Sequence, residues 1–158
     1  MTKKSSNVFL LSVLLTLVRI FSFGQSNNII PAEWSKDFRI VVYSKGGKQD
    51  IDTKITFTND VCQYSVKKDS QSKRSQFKIT ESERKEILAK LLELKVNEIR
   101  LIKSEKRVKA KNSNGFCLYG NKTLCLEDSG ESSIHEEDRT NFHLAYQYLI
   151  TFAAQKMM

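Results

Sequence analysis

Only two histidines occur in the 158 residues, and there is no glycine-rich phosphate loop, nucleophile elbow or paired CxxC. The sequence therefore offers no motif for nucleotide binding, serine hydrolysis or dithiol redox chemistry. His135 and His143 stand eight residues apart, which on a helix leaves them about 80° out of line and rules out a two-histidine metal face. The acids Glu136, Glu137 and Asp138 beside His135 suit a helix start, where negative charge is favoured. Cysteine catalysis at Cys62 would need one of these distant histidines as base. No catalytic residue, metal ligand or cofactor is assigned. No aromatic RNA-binding signature accompanies the basic residues, so no specific nucleic acid is expected.

The amino end does carry a pattern. Lys3 and Lys4 precede an apolar run from Val8 to Val18, followed by Arg19 and the Ser22-Phe23-Gly24 stretch. This is the layout of a cleavable export signal. The run is about half the roughly 20 residues a membrane span needs, and no cysteine near the cut marks a lipid attachment site. The expected division is a signal over residues 1–24 and a single α+β domain over 25–158, with no transmembrane span after cleavage. Removing Lys3, Lys4 and Arg19 lowers the formal charge from +8 to +5. The expected location is periplasmic, cell-surface or secreted.

Along the remaining chain, Phe38 to Tyr43 is rich in β-branched and aromatic residues and ends at Gly46-Gly47, which predicts a strand and a turn. Ile51 to Thr58 alternates apolar and polar residues, Asn59-Asp60 breaks it, and Val61 to Val66 follows as a partner strand. Lys67 to Arg74 reads as a mobile turn before a short run at Gln76 to Ile79. Thr80 and Glu83 form a capping box, and Ile87, Leu88, Leu91 and Leu94 set one helical face, predicting a helix from Glu81 to about Leu94.

Farther on, Val108 and Ala110 alternate with Arg107, Lys109 and Lys111 in the manner of a basic edge strand. Phe116 to Tyr119 and Thr123 to Leu126 flank Gly120-Asn121-Lys122 as a second hairpin. A three-residue loop sets Phe116 opposite Leu126 and Leu118 opposite Leu124. Ser133 and Glu136 repeat the capping-box spacing before a last helix with Phe142, Ala145, Tyr146, Leu149, Phe152 and Ala153 as its apolar stripe. The fold expected is α+β: an antiparallel sheet of two hairpins with two amphipathic helices packed on one face, in the order strands, helix, strands, helix.

The second hairpin's register places Cys117 opposite Cys125 and predicts a disulfide there. Three reduced thiols, or a bridge using Cys62, are the other possibilities for three cysteines. The densest charge is the segment Arg100, Lys103, Lys106, Arg107, Lys109 and Lys111, opposed only by Glu105. It is the candidate contact for an anion or partner.

The Phe-Ser-Phe-Gly-Gln end of the leader, a β-hairpin, the Lys-Ile-Thr-Glu-Ser-Glu helix start, a second hairpin and a closing amphipathic helix together resemble the uncharacterised small exported α+β proteins of Bacteroidota. The resemblance implies export and the α+β fold, and carries over no functional residues. With no catalytic constellation, the expected function is a non-enzymatic exported binding or accessory module. Its partner would be an envelope or extracellular protein, or an anionic glycan. A secreted inhibitor or effector acting on another protein is the alternative, and an enzyme with a scattered site the third reading.

Overall fold

A computed structural model describes residues 29–46, 51–68, 70–102, 112–129 and 134–157. The expected export signal, Gly47, Ser133 and the basic residues 103–111 lie outside them. In chain order the elements are β1 (Arg39–Lys45), β2 (Ile51–Phe57), β3 (Val61–Lys68), β4 (Gln71–Lys78), α1 (Glu81–Glu93), a 3-10 turn (Val96–Glu98), β5 (Ser113–Tyr119), β6 (Thr123–Asp128) and α2 (Glu136–Met157).

The strands form one six-stranded antiparallel sheet in the order β4-β3-β2-β1-β5-β6. The expectation of two hairpins is therefore corrected. β1 pairs with β2 on one side and β5 on the other, fusing a four-stranded meander and the β5–β6 hairpin into a single sheet. The segment read as a mobile turn is instead the end of β3, which continues to Lys68, and the first half of β4, which runs back from Gln71; the short run expected from Gln76 is the second half of β4. Its polarity misled the reading. β4 is exposed at every position except Phe77, and an edge strand with so little buried surface needs no apolar alternation. The first helix thus follows four strands rather than two or three.

Local signals explain the joints. Asn59-Asp60 is a two-residue turn in which the Val61 N–H donates to Thr58 Oγ1 and the Thr58 N–H donates to the Val61 carbonyl at 2.9 Å. At α1 both halves of the capping box form: the Glu83 N–H donates to Thr80 Oγ1, and the Thr80 N–H donates to Glu83 Oε2. Arg84 then donates to the carbonyls of Asn59 and Ile79, tying the helix start to the β2–β3 turn. The β5–β6 register sets Phe116 opposite Leu126, Leu118 opposite Leu124 and Cys117 opposite Cys125, as the three-residue loop predicted.

One face of the sheet is buried. Ile40, Val42, Ile55, Phe57, Phe116, Leu118 and Leu126 share it with Ile87, Leu88 and Leu91 of α1 and Phe142, Ala145, Leu149, Phe152 and Ala153 of α2. Phe116 stacks on Phe142 with centroids 5.6 Å apart, and Phe57 tilts against Phe152 at 6.1 Å. The helices also touch each other, Tyr148 donating its hydroxyl proton to Glu86 at 3.2 Å. Both therefore cover the same face and leave the other open. Among the described residues no helix is long and apolar enough to cross a membrane.

Candidate functional site

The uncovered face is organised in rows that run across the strands. Register places Glu127, Gly115, Tyr43, Lys54, Ser65 and Arg74 in one row from β6 to β4. The next row holds Cys125, Cys117, Val41, Thr56, Gln63 and Gln76. The two halves of the face differ in chemistry.

The β1–β5–β6 half is closed by its own side chains. Tyr43 lies over Gly115, and its hydroxyl donates to Glu127 Oε2 at 3.0 Å. A Cβ on Gly115 would stand 2.7 Å from that hydroxyl and 2.6 Å from the Leu126 carbonyl, so only glycine leaves room for the ring. Burial, and then the hydrogen bond and charge of Glu127, push the Tyr43 hydroxyl well above its usual range. The Lys45 ammonium sits 5.2 Å from the Tyr43 ring centroid, and the Arg39 guanidinium 4.6 Å from that of Tyr119. The sulfurs of Cys117 and Cys125 are at bonding distance on this half, with Cα atoms 4.1 Å apart.

The β2–β3–β4 half is open and polar. Lys54, Thr56, Gln63, Ser65, Arg74 and Gln76 line a depression of about 620 Å³, whose wall also includes Tyr64 and Ser75. No carboxylate of a described residue lines it. Among the described residues, register collects six cations on the open face, Arg39, Lys45, Lys54, Lys67, Arg74 and Lys78, against the two acids Asp52 and Glu127. Asp52 accepts a hydrogen bond from the Gly46 N–H and Glu127 accepts one from Tyr43. Lys54, Arg74 and Lys78 make no ion pair with another described residue. Lys54 and Arg74 are two strand spacings apart, about 10 Å, close to the Debye length of about 10 Å at 0.1 M salt. Their fields therefore reinforce each other in the depression.

The residues singled out from sequence fall elsewhere. Arg100, the one residue of the basic segment within the described set, is held by the start of α2. Its guanidinium pairs with Glu137 and, at 2.8 Å, with Asp138, while its backbone N–H donates to Asp138 Oδ2 at 2.9 Å. These contacts hold the Asp138 carboxyl below its usual range. Lys103, Lys106, Arg107, Lys109 and Lys111 lie outside the described residues. Cys62 is fully buried on the core face opposite Phe57 and Phe77, and burial pushes its thiol up to about 12. That leaves negligible thiolate at neutral pH. His143 Nε2 is 3.2 Å from Asp128 Oδ2. No three His, Cys, Asp or Glu residues among those described come together as a metal site.

The Lys54–Ser65–Arg74 row was missed in the sequence because its members come from three strands, and Arg74 lies in the part of β4 read as a turn. The alternation of Ile51 to Thr58 did signal that Lys54 and Thr56 share a polar face. No family model matches the chain, and no curated protein matches it either.

Proposed function

We propose that the protein is an exported, non-enzymatic binding module that takes up an anionic partner on the open face of its sheet. The observation behind this reading is the depression over β2, β3 and β4, where Lys54 and Arg74 stand among hydroxyl and amide groups, with no carboxylate among the described residues that line it. Such a surface attracts negative charge at a distance and offers hydrogen-bond donors on contact. A disulfide pair on the same face agrees with export, since such bonds persist outside the reducing cytosol.

The test is retention on a sulfated-polysaccharide matrix along a salt gradient, comparing the parent chain, a Lys54→Glu/Arg74→Glu variant and a Lys106→Glu/Arg107→Glu/Lys109→Glu variant. The first variant is expected to elute at distinctly lower salt with an unchanged circular dichroism spectrum. If it elutes with the parent while the second variant loses retention, the contact lies in the 103–111 segment and this assignment of the face is wrong.

A further inference from the structure

The open half of the sheet ends at β4, and no described strand pairs with its outer edge. Hydrogen-bond alternation identifies the backbone groups left there. The Thr58 N–H donates to the Val61 carbonyl, and the Ile79 N–H to the Asp60 carbonyl at 3.1 Å. In an antiparallel pair, hydrogen-bonded and non-hydrogen-bonded residue pairs alternate. Ser75 and Phe77 therefore turn their main-chain groups toward β3, while Ser72, Arg74, Gln76 and Lys78 turn theirs outward. The pairing from Gln71 to Lys78 is continuous, with no bulge, and the strand contains no proline. Eight residues of unbroken edge strand, exposed at every position but Phe77, are a template for another strand.

The side chains decide which strand fits. Those of Arg74, Gln76 and Lys78 stand on the open face, where no described carboxylate pairs with either cation. Those of Ser75 and Phe77 stand on the helix face, where Ser75 meets the thioether of Met157, itself 41% exposed. Charge on an edge strand ordinarily prevents self-association, and β4 is guarded in that sense. Antiparallel pairing with β4 of a second copy, Gln76 opposite Gln76, would set each Arg74 opposite a Lys78. The same charges select a strand of opposite sign.

We infer that β4 is a docking edge for an extended acidic segment of another protein, which adds a seventh antiparallel strand. Residues of that segment opposite Lys78 and Arg74 are acidic and lie four positions apart. Those opposite Phe77 and Ser75 are apolar, and the one opposite Gln76 is neutral. The recognised pattern is thus acidic, apolar, neutral, apolar, acidic. The inference rests on the anionic-partner reading of the sheet face and names the chemistry of that partner.

Amide hydrogen exchange by NMR tests it, using the 25–158 chain and a peptide centred on Glu-Leu-Thr-Val-Glu, with Lys-Leu-Thr-Val-Lys as control. In the free protein the outward amides of Arg74 and Gln76 should exchange faster than those of Ser75 and Phe77. Saturating acidic peptide should slow Arg74 and Gln76 at least about tenfold and leave Ser75 and Phe77 unchanged. Gln76→Pro, which removes an outward N–H at a position where an edge tolerates proline, should abolish the protection at the remaining reporter, Arg74. Arg74→Glu/Lys78→Glu should abolish it without any backbone change. Acidic-peptide binding without new protection at Arg74 and Gln76 overturns edge docking, as does binding of a sulfated polysaccharide alone. In both cases the anionic-face reading stands. If neither ligand binds, the face reading falls and the inference with it.

Discussion

Breaking the Cys117–Cys125 bridge tests both the register of the second hairpin and the source of its stability. The bridge spans a sequence separation of 8. Loop-closure entropy for about 8 residues is roughly 8 cal/mol/K, or about 2.5 kcal/mol at 25 °C, removed from the unfolded ensemble. Over roughly 130 folding residues at about 2.1 cal/mol/K each, that corresponds to a fall in Tm of about 9 °C. The native hairpin should survive. Phe116 with Leu126 and Leu118 with Leu124 hold the register from the opposite, buried face, independently of the two sulfurs. Chemical denaturation of the oxidised protein, the reduced protein and Cys117→Ala/Cys125→Ala should thus show a loss near this size, with native circular dichroism retained. A slightly larger dependence on denaturant is expected too, because the unconstrained chain exposes more surface. Cys62→Ala should stay fully sensitive to reductant. Two results would refute the reasoning: labelling of all three thiols without reductant, or a stability change on reduction below about 0.5 kcal/mol.

Other perturbations have equally definite signs. Cys62 has a folded pKa raised to about 12 against an ordinary 9.0, so between these values the unfolded state releases a proton that the native state keeps. Stability present below pH 9 is therefore lost as pH rises, by about 2 kcal/mol at pH 10.5, and Cys62→Ala should remove this part of the alkaline slope in parallel melts. Gly115→Ala should cost about 1–3 kcal/mol, because the Leu126 carbonyl, 2.6 Å from the new Cβ, cannot move as a side chain could. Adding Tyr43→Ala should recover only part of that in a double-mutant cycle. Lys95 follows α1 with φ 51°, in the left-handed region where glycine has no penalty. Lys95→Gly should raise the unfolding free energy by about 0.5–1 kcal/mol, and a loss would show that the lysine side chain contributes packing.

What could be read from the sequence followed from how much surface each segment buries. α1 was legible because Thr80, Glu83 and the Ile87-Leu88-Leu91 spacing are local signals that the core then uses unchanged. The β5–β6 register was legible because its apolar pairs must share one face. The first half of β4 was not, since a strand exposed at all but one position has no hydrophobic period to betray it. The same fact hid the candidate site: Lys54 and Arg74 are 20 positions apart in the chain and become neighbours in one row only if β4 exists. Arg100 shows the reverse error. Its place in a basic run suggested a free contact, but the acids that begin α2 hold it.

Charge is sorted between the two layers, and this separates what salt does to folding from what it does to binding. On the helix layer Lys85 pairs with Glu81, Lys90 with Glu93, Lys156 with Glu83 and Arg100 with Glu137 and Asp138. These exposed pairs are each worth about 0–1 kcal/mol and weaken in salt. The open sheet face has the opposite balance, with six cations against two acids among the described residues, and salt relieves the repulsion among them. The two effects oppose each other, so sodium chloride from 0.05 to 0.5 M, given as about one decade of ionic strength, should change unfolding free energy by less than about 1 kcal/mol. Binding of an anionic partner has no such compensation, because its attraction and the repulsion it relieves are both screened at the same face. Affinity should fall steeply over the same range, and Lys54→Glu/Arg74→Glu should flatten that dependence while leaving the salt dependence of unfolding nearly unchanged. A variant that altered the salt dependence of folding as much as that of binding would mean these two cations act in the fold rather than at its surface.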